Sequence, residues 1–341
     1  MNRSDNSNLY YYQFYGVNLQ INRLLPEFDQ SQKLERSDIK VSLTSNSSIE
    51  DKQLLEQKFN WQPLAECDPN LDCYLSKALL EGASYYQIRH VFKQEFIEYI
   101  FNSDGSEIWG VYSSEALFQD AISLLLGYVL GTVIRLRGNL AFHASAIAIN
   151  KRVILLTGDS GAGKSTTAAA LSKRGFPVLA DDIAVLKLEQ GQYWVQPGYP
   201  RLRLCPQSVK AFDTSPQELT KVSSFGYKRY LNLAVDNTEK WLFQPVPLPL
   251  AGIYIMGKRE QQLARSSVKS LASSQAMTKL VKSVYGSYFL NKDIRTNEFQ
   301  QLAQFVRTVP IRQLSRPNNL SNLDQLCCLI VDDYDALNPE V

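Results

Sequence analysis

The sequence predicts an α/β protein in which a β-rich N-terminal region precedes a domain of mixed strands and helices. Two observations lead to this fold class. Aromatic and β-branched runs separated by turn residues fill residues 9–112, whereas apolar runs alternate with segments of helical composition in the rest of the chain. We therefore predict an N-terminal region over residues 1–112 and a second domain over residues 113–341.

The N-terminal region contains several predicted strands. Residues 10–19 are rich in tyrosine, and residues 38–43 alternate polar with apolar side chains. Residues 92–101 and 107–112 flank the segment 102–106, Asn-Ser-Asp-Gly-Ser, which is typical of a hairpin turn. The aromatic residues suit a strand core better than a protein-docking surface, and the region is a candidate for substrate recognition.

An apolar segment beginning near Ser114 opens the second domain. Asp120 and Arg135 bracket its uncharged part, which is well short of the roughly 20 apolar residues that a bilayer requires. The segment is therefore predicted to be a buried helix packed on a sheet, and no membrane association is expected.

Residues 158–165, Gly-Asp-Ser-Gly-Ala-Gly-Lys-Ser, match the phosphate-binding pattern G-x-x-x-x-G-K-[ST]. The apolar residues 153–156 predict a buried strand before this pattern, and the alanine-rich residues 166–173 predict a helix after it. Glycines let backbone N–H groups wrap a polyanion without obstruction by side chains. This segment predicts a nucleoside triphosphate site, of the Walker A or P-loop kind.

Two side chains of the pattern have distinct expected roles. Lys164 is expected to reach the outer phosphates, and Ser165 to offer its hydroxyl to Mg²⁺. The predicted cofactors are ATP and Mg²⁺. The candidate nucleotide-binding residues are Gly158, Asp159, Ser160, Gly161, Ala162, Gly163, Lys164, Ser165 and Thr166.

Two further segments carry candidate catalytic residues. Residues 177–180 predict a short strand that ends in Asp181 and Asp182; beside a phosphate site, one carboxylate can hold Mg²⁺ and the other can accept a proton, although paired aspartates also occur in turns. Residues 139–149 predict an apolar strand interrupted by His143, which is either an active-site residue or a hydrogen-bonded core residue.

These segments, in this order, resemble the catalytic domain of the HPr kinase/phosphorylase family, and more closely its HPr-kinase-related serine kinases. The resemblance covers roughly residues 138–260 and is carried by residues 142–146, 156–165 and 173–182, and more weakly by residues 197–204. It implies an HPr-kinase-like P-loop domain that transfers phosphate from ATP to a serine of a protein or peptide. Asp181 is the implied base, Lys164 and His143 are further catalytic residues, and Ser165 and Asp182 are the implied metal partners.

The sequence departs from the family at two places. Thr166 stands where the carrier-protein kinases usually have glutamate, and nothing matches the downstream signature loop of the bifunctional enzymes. A one-way kinase with another acceptor therefore fits better. A P-loop ATPase that acts as a regulatory switch and a kinase of a small metabolite remain alternatives.

Other charged residues near the core have two interpretations each. Arg201 and Arg203 alternate with Leu202 and Leu204, which places both guanidinium groups on one face of a strand. That face either contacts phosphate or an acidic substrate, or is solvated. Lys228 and Arg229 either close over a nucleotide or belong to the surface. Beyond them, a helix over residues 299–306, a strand over 310–314 and a helix over 323–331 are predicted.

Composition narrows the functional class. The chain has 341 residues, 45% hydrophobic and 21% charged, with a net charge of +2, which gives no signal for nucleic-acid binding. Five cysteines without paired short spacings predict a reducing compartment, and the polar N-terminus lacks an apolar signal segment. We expect a cytoplasmic protein, and the sequence leaves a homo-oligomer open.

Overall fold

The computed structural model describes residues 8–26, 28–31, 36–45, 59–68, 73–92, 95–234, 241–285 and 292–339. It is a mixed α/β structure with several sheets, and it divides into two compact units between Arg137 and Gly138. The helix after residue 112, which the sequence assigned to the second domain, groups with the first unit. The prediction about the polar N-terminus concerns residues 1–7, which lie outside the described residues.

The first unit contains an eight-stranded sheet of strand order β1-β2-β3-β8-β7-β6-β5-β4. Strands β4 to β8 form an antiparallel meander, and β3 joins it by pairing parallel with β8. The strands are β1 (Tyr10–Phe14), β2 (Val17–Ile21), β3 (Ile39–Ser45), β4 (Gln62–Asp68), β5 (Cys73–Leu80), β6 (Ala83–Phe92), β7 (Glu95–Asn102) and β8 (Glu107–Tyr112). The predicted β-rich character and the predicted hairpin between β7 and β8 are confirmed.

One long helix, α1 (Glu115–Leu136), completes the first unit. It is long and apolar enough to cross a membrane by length and composition, and most of its apolar part is buried inside the structure. The hydroxyl of Tyr99, on β7, donates to the carbonyl of Ala121 at 2.7 Å, which fixes the helix on the sheet. The predicted buried helix is thus confirmed, although it packs on the N-terminal sheet.

The second unit is built on a nine-stranded sheet with the main order β12-β10-β11-β17-β14-β13-β9, which β19 and β18 extend from β17. Strands β11, β17 and β19 run parallel to one another, and the other pairs are antiparallel. The strands are β9 (Leu140–Phe142), β10 (Ala144–Ile149), β11 (Arg152–Thr157), β12 (Val178–Ala180), β13 (Ala184–Glu189), β14 (Gln192–Gln196), β15 (Arg201–Leu204), β16 (Arg229–Asn232), β17 (Leu248–Glu260), β18 (Ser267–Ser270) and β19 (Ile311–Pro317); β15 and β16 form a separate ribbon.

Helices cover both faces of this sheet. The alternation of side chains along β11 sends Ile154 and Leu156 to one face, where α2 and α6 pack, and Val153 and Leu155 to the other, where α4 and α5 pack. A strand covered on both faces is apolar throughout, which is why residues 153–156 read as a continuous run. The helices are α2 (Lys164–Lys173), α3 (Pro206–Lys210), α4 (Ser273–Ser283), α5 (Lys292–Thr308) and α6 (Leu323–Leu337).

Two interrupted strands bring the polar residues together. The predicted strand over residues 139–149 is two strands, because the chain changes partners at His143: β9 pairs with β13, whereas β10 pairs with β11 and β12. Residues 181–183 separate β12 from β13 in the same way, since β12 pairs with β10 and β13 pairs with β9. His143 and the two aspartates therefore meet where the pairing pattern of the sheet changes.

Candidate active site

The glycine loop, residues 158–163, links the end of β11 to the start of α2, so the predicted order of strand, loop and helix is confirmed. Gly158 has φ +143°, and a Cβ there would lie 2.6 Å from the Met256 carbonyl oxygen. Gly161 and Gly163 have φ values of +75° and +87°. Only glycine adopts this set of conformations without strain, so the loop geometry accounts for its composition.

Lys164 lies at the inner side of this loop. Its side chain is buried, and its ammonium donates to the carbonyl oxygens of Gly158 at 2.8 Å and Asp159 at 3.1 Å. Burial lowers the pKa of Lys164 to about 8, and the nearby charges of Asp181 and Asp182 oppose that change. The amine therefore carries a charge at neutral pH that is only partly compensated by its neighbours.

Asp181 is buried and fully engaged in hydrogen bonds. One carboxylate oxygen accepts from the hydroxyls of Ser145 at 2.6 Å and Ser165 at 2.9 Å, and the other accepts from the backbone N–H of Arg203 at 2.8 Å. The bond to Ser165 connects the aspartate pair to the first turn of α2. The Asp181 carboxylate thus lies beside the Ser165 hydroxyl, the group that the sequence predicts to bind Mg²⁺.

Asp182 has a different environment and a strained backbone. Its φ of +71° lies in the left-handed region, which costs a non-glycine residue about 1–3 kcal/mol. Its carboxylate accepts from Arg203 Nη1 at 2.8 Å and lies 3.5 Å from His143 Nδ1. Burial opposes ionisation, but the charges of Arg203 and other cations prevail and hold the pKa of Asp182 below its usual value.

His143 is half-buried and positions Asp182 from the opposite strand. Its Nδ1 lies 3.0 Å from the backbone carbonyl oxygen of Asp182. Because a carbonyl oxygen only accepts, Nδ1 carries the proton and Nε2 keeps its lone pair. Burial lowers the pKa of His143 and the charge of Asp182 opposes this, so the ring is neutral at pH 7.

These groups surround a cavity of about 120 Å³. Asp182 is one of its lining residues, whereas Asp181 is not. The lining residues are His143, Ser160, Gly161, Gly163, Lys164, Ser165, Thr166, Asp182, Arg203, Cys205, Ser208, Tyr227, Lys228 and Arg259. The structure thus brings most of the sequence-predicted residues to one cavity.

The remaining basic residues separate into two groups. Arg203 contacts Asp182 and also donates from Nε to the Tyr199 hydroxyl at 2.9 Å, and Arg201 is buried with its guanidinium 4.9 Å from the centre of the Tyr230 ring. The interpretation of Arg201 and Arg203 as a solvated face is therefore wrong. Lys228 lines the cavity, whereas Arg229 donates to the Pro216 carbonyl oxygen instead.

Several residues at the site were missed by sequence reasoning, among them Cys205 and Ser208 of the cavity lining. Ser145, Arg259 and Arg316 all lie within or at the ends of strands of the second unit. A polar residue in the apolar run 144–149 was a signal for Ser145. Neither arginine belongs to a local motif, because only the parallel pairing of β17 with β19 brings both to the glycine loop.

The residues present fit a Mg²⁺ ion that is shared with phosphate oxygens. Among the described residues, no cluster of three or more His, Cys, Asp or Glu side chains forms a metal cage. Mg²⁺ in phosphoryl-transfer sites is usually held by one or two carboxylates or hydroxyls together with substrate phosphates. The Ser165 hydroxyl and the Asp181 carboxylate, 2.9 Å apart, offer this donor set.

Comparisons with known proteins add little to this geometry. No protein-family model matches the chain, and no curated protein matches it. A solved structure, the HPr(Ser) kinase/phosphatase from Coxiella burnetii, is similar with a TM-score of 0.29 and 13% sequence identity, over 57% of this chain and 95% of that chain. A TM-score of this size does not establish a shared fold, so the family resemblance seen in the sequence remains a prediction.

Proposed function

We propose that this protein is an ATP- and Mg²⁺-dependent kinase that phosphorylates a serine-type hydroxyl of a protein or peptide. One observation carries the proposal: a glycine loop with a buried lysine and an ionised, strained aspartate face the same cavity. The glycine loop and the lysine suit binding of the phosphates of ATP, and the aspartate suits acceptance of a proton from an attacking hydroxyl.

The geometry favours an exchange of the roles that the sequence gave to the two aspartates. Asp181 as base is disfavoured because both of its oxygens accept hydrogen bonds, one of them from Ser165, the hydroxyl expected to face Mg²⁺. Asp182 lines the cavity and is held by Arg203 and His143. We therefore assign the base to Asp182 and the metal-binding carboxylate to Asp181, beside Ser165.

The proposed reaction is a direct transfer. The acceptor hydroxyl loses its proton to the Asp182 carboxylate as its oxygen bonds to the γ-phosphorus, and the bond from that phosphorus to the β–γ bridging oxygen breaks, which leaves ADP. Lys164 stabilises the charge of the transferring group. Mg²⁺, when bound, neutralises charge on the β- and γ-phosphates.

His143 and Arg203 prepare Asp182 for this step. The His143 bond fixes the backbone carbonyl of Asp182 in its left-handed conformation, and Arg203 keeps the carboxylate ionised. A carboxylate of low pKa is a weak base, so its proton acceptance depends on late proton transfer in a loose transition state. His143 is a positioning residue in this scheme.

The proposal is tested by intact-mass spectrometry of serine-containing small proteins, peptides and free serine after incubation with ATP and Mg²⁺. The expected result is an acceptor that gains one phosphate with wild-type protein and none with Lys164→Met. Phosphate release from ATP with every acceptor unmodified would contradict transfer and favour the ATPase switch. Modification of free serine alone would identify a small-metabolite kinase.

A further inference from the structure

A larger cavity lies beside the first residues of the glycine loop. Its volume is about 600 Å³, which is within the usual range for ligand sites, whereas the cavity that contains Lys164 measures about 120 Å³. Gly158 and Asp159 line it, together with residues of α4 and of the carboxyl end of β17. The carboxyl ends of parallel strands form the edge of an α/β sheet where ligands bind.

Four lysine side chains line this cavity, which we call the lysine groove. The four are all exposed: Lys258 on β17, Lys269 on β18, and Lys279 and Lys282 on α4. Among the described residues, none of these lysines forms an ion pair. Asp159 supplies the one carboxylate of the described lining. The lysine groove therefore presents an excess of positive charge to a ligand.

Helix α4 turns one polar face toward the lysine groove. Four lining residues follow the spacing i, i+3, i+4, i+7 of a single helix face: Gln275, Thr278, Lys279 and Lys282. The two lysines of this face repel each other unless an anion compensates them. Interaction with the helix dipole accounts for Lys282 in the last turn, but not for the two lysines on strands.

The lysine groove adjoins the candidate active site through backbone contacts. The carbonyl oxygens of Gly158 and Asp159, which line the groove, accept hydrogen bonds from the Lys164 ammonium. At the end of α4, the carbonyl oxygen of Ser283 accepts from the backbone N–H of His143 at 2.7 Å. A ligand in the groove therefore lies next to the place where the proposed transfer occurs.

The lining suits an acidic peptide better than a nucleic acid. Ile255, Met256 and Leu271 add apolar surface to the lysines, so one chain segment can place both acidic and apolar side chains there. The described lining residues include no aromatic side chain on which a base could stack. The net charge of +2 also gives no signal for nucleic-acid binding.

We propose that the lysine groove binds acidic side chains that flank the acceptor serine, so that the substrate is an acidic segment of a protein or peptide. This inference rests on the proposed function, because the groove selects the acceptor of the proposed transfer. Ion pairs between exposed groups are individually weak, so selectivity requires several acidic residues that act together.

The test compares two peptides of equal length, one with glutamates on both sides of a single serine and one with glutamines at the same positions. Fluorescence anisotropy measures binding of the labelled peptides, and mass spectrometry measures their phosphorylation with ATP and Mg²⁺. The variant Lys279→Gln/Lys282→Gln should fold, since both side chains are exposed. Loss of two exposed ion pairs should weaken binding of the glutamate peptide about three- to tenfold and leave the glutamine peptide within about twofold.

Two controls separate the lysine groove from charge in general. Lys173→Gln/Lys210→Gln makes the same change of charge at two exposed positions that do not line the groove, and should leave binding of both peptides unchanged. A rise in salt from about 0.05 M to about 0.5 M should reduce the wild-type preference for the glutamate peptide, because exposed charges are screened. Equal weakening by the two double variants would overturn the groove.

The docking site and the kinase activity fail in different ways. Equal binding of the two peptides by the wild type, or no binding of the glutamate peptide, would overturn the lysine groove even if a peptide is phosphorylated. A glutamate peptide that needs Lys279 and Lys282 for binding but is never phosphorylated would support the groove and contradict the kinase. Tighter binding of a single-stranded oligonucleotide of the same net charge, lost in Lys279→Gln/Lys282→Gln, would overturn a peptide as the occupant.

Discussion

The two histidines of the chain show how differently the two units use the same residue. His90, on β6 of the first unit, is buried, stacks 5.8 Å from the Phe92 ring, and has an Nε2 without a hydrogen-bond partner. Burial alone lowers its pKa to about 4. His143, in the second unit, is half-buried and bonds to Asp182 at the edge of a cavity that also contains Lys164 and Arg203.

The difference teaches that a shifted pKa does not by itself mark an active site. His90 is shifted because it is buried, whereas the environment of His143 contains charges of both signs in addition to burial. A functional interpretation requires convergence of several titratable groups on accessible space. By that criterion, His90 is a core residue, whereas His143 belongs to the candidate site.

The largest expected effects come from replacing the two aspartates of the candidate site, to which we assign different roles. Asp182→Asn should reduce the rate of transfer by about 10²- to 10⁴-fold, because the amide cannot accept the proton of the acceptor, and should leave ATP affinity nearly unchanged. Asp181→Asn should instead raise the Mg²⁺ concentration needed for half-maximal activity. Initial rates over a Mg²⁺ series check both, and a Mg²⁺ effect confined to Asp182→Asn would reverse the assignment.

Lys164→Met should lower the rate of transfer by about 10²- to 10³-fold, because the charge that stabilises the transferring group is removed. The variant should keep its thermal stability, since burial of an ammonium disfavours folding and the carboxylates of Asp181 and Asp182 keep their other hydrogen-bond donors. Steady-state kinetics and calorimetric melting measure the two effects. Full activity in the folded variant would refute the site.

The pH dependence of nucleotide affinity separates Lys164 from the other charged groups. Its pKa of about 8 means that the ammonium is charged below that pH and loses its charge as the pH rises through it. Bound phosphates favour the charged form, so binding takes up a proton above pH 8. The ATP affinity should therefore be level below pH 8 and fall about tenfold per pH unit above it, until the bound-state pKa is reached.

This dependence has a direct control. Calorimetric titrations between about pH 7 and about pH 9.5 should show the break in wild type and none in the residual binding of Lys164→Met. A constant wild-type affinity over this range would show that Lys164 does not contact the phosphates.

The smallest expected effects come from the histidines themselves. His143→Gln should lower the rate of transfer about tenfold through displacement of Asp182, with little change in stability. His90→Gln should leave the rate unchanged and destabilise the protein by about 1–3 kcal/mol. Kinetics and chemical denaturation of both variants test this separation, and an equal loss of activity in the two would remove the distinction between the histidines.

The low pKa of His90 also predicts how the free energy of unfolding changes at acidic pH. In the folded protein its pKa of about 4 lies below the ordinary histidine value of 6.5, so between these two pH values the unfolded chain binds a proton and the folded chain does not. Stability should fall as the pH decreases from 6.5 toward 4, by a contribution of the order of 3 kcal/mol. In His90→Gln this contribution should vanish, and an unchanged acid profile would contradict it.

Local sequence patterns predicted the parts of the site that are continuous in the chain. The strand before the glycine loop, the loop and α2 follow from apolar runs, glycines and helix-forming residues within about twenty positions. The short strand before Asp181 was equally local. Helix ends were less well defined: α5 and α6 both extend beyond the predicted segments, because packing on the sheet stabilises additional turns.

The parts that depend on pairing between distant segments were not predictable. The change of strand partner at His143 and the adjacency of Arg259 and Arg316 are properties of the sheet, which one sequence does not encode locally. The different surroundings of Asp181 and Asp182 were not predictable for the same reason, since the two residues have the same side chain and are adjacent in the chain. The grouping of α1 with the first unit likewise follows from packing.

The most direct test of the account is calorimetric titration of wild-type protein with ATP, with and without Mg²⁺, beside Lys164→Met. The account predicts one ATP site that is tightened by Mg²⁺ and lost, or weakened at least about tenfold, in the variant. Absence of ATP binding by the wild type, or equal affinity in the folded Lys164→Met variant, would contradict a phosphate site at the glycine loop.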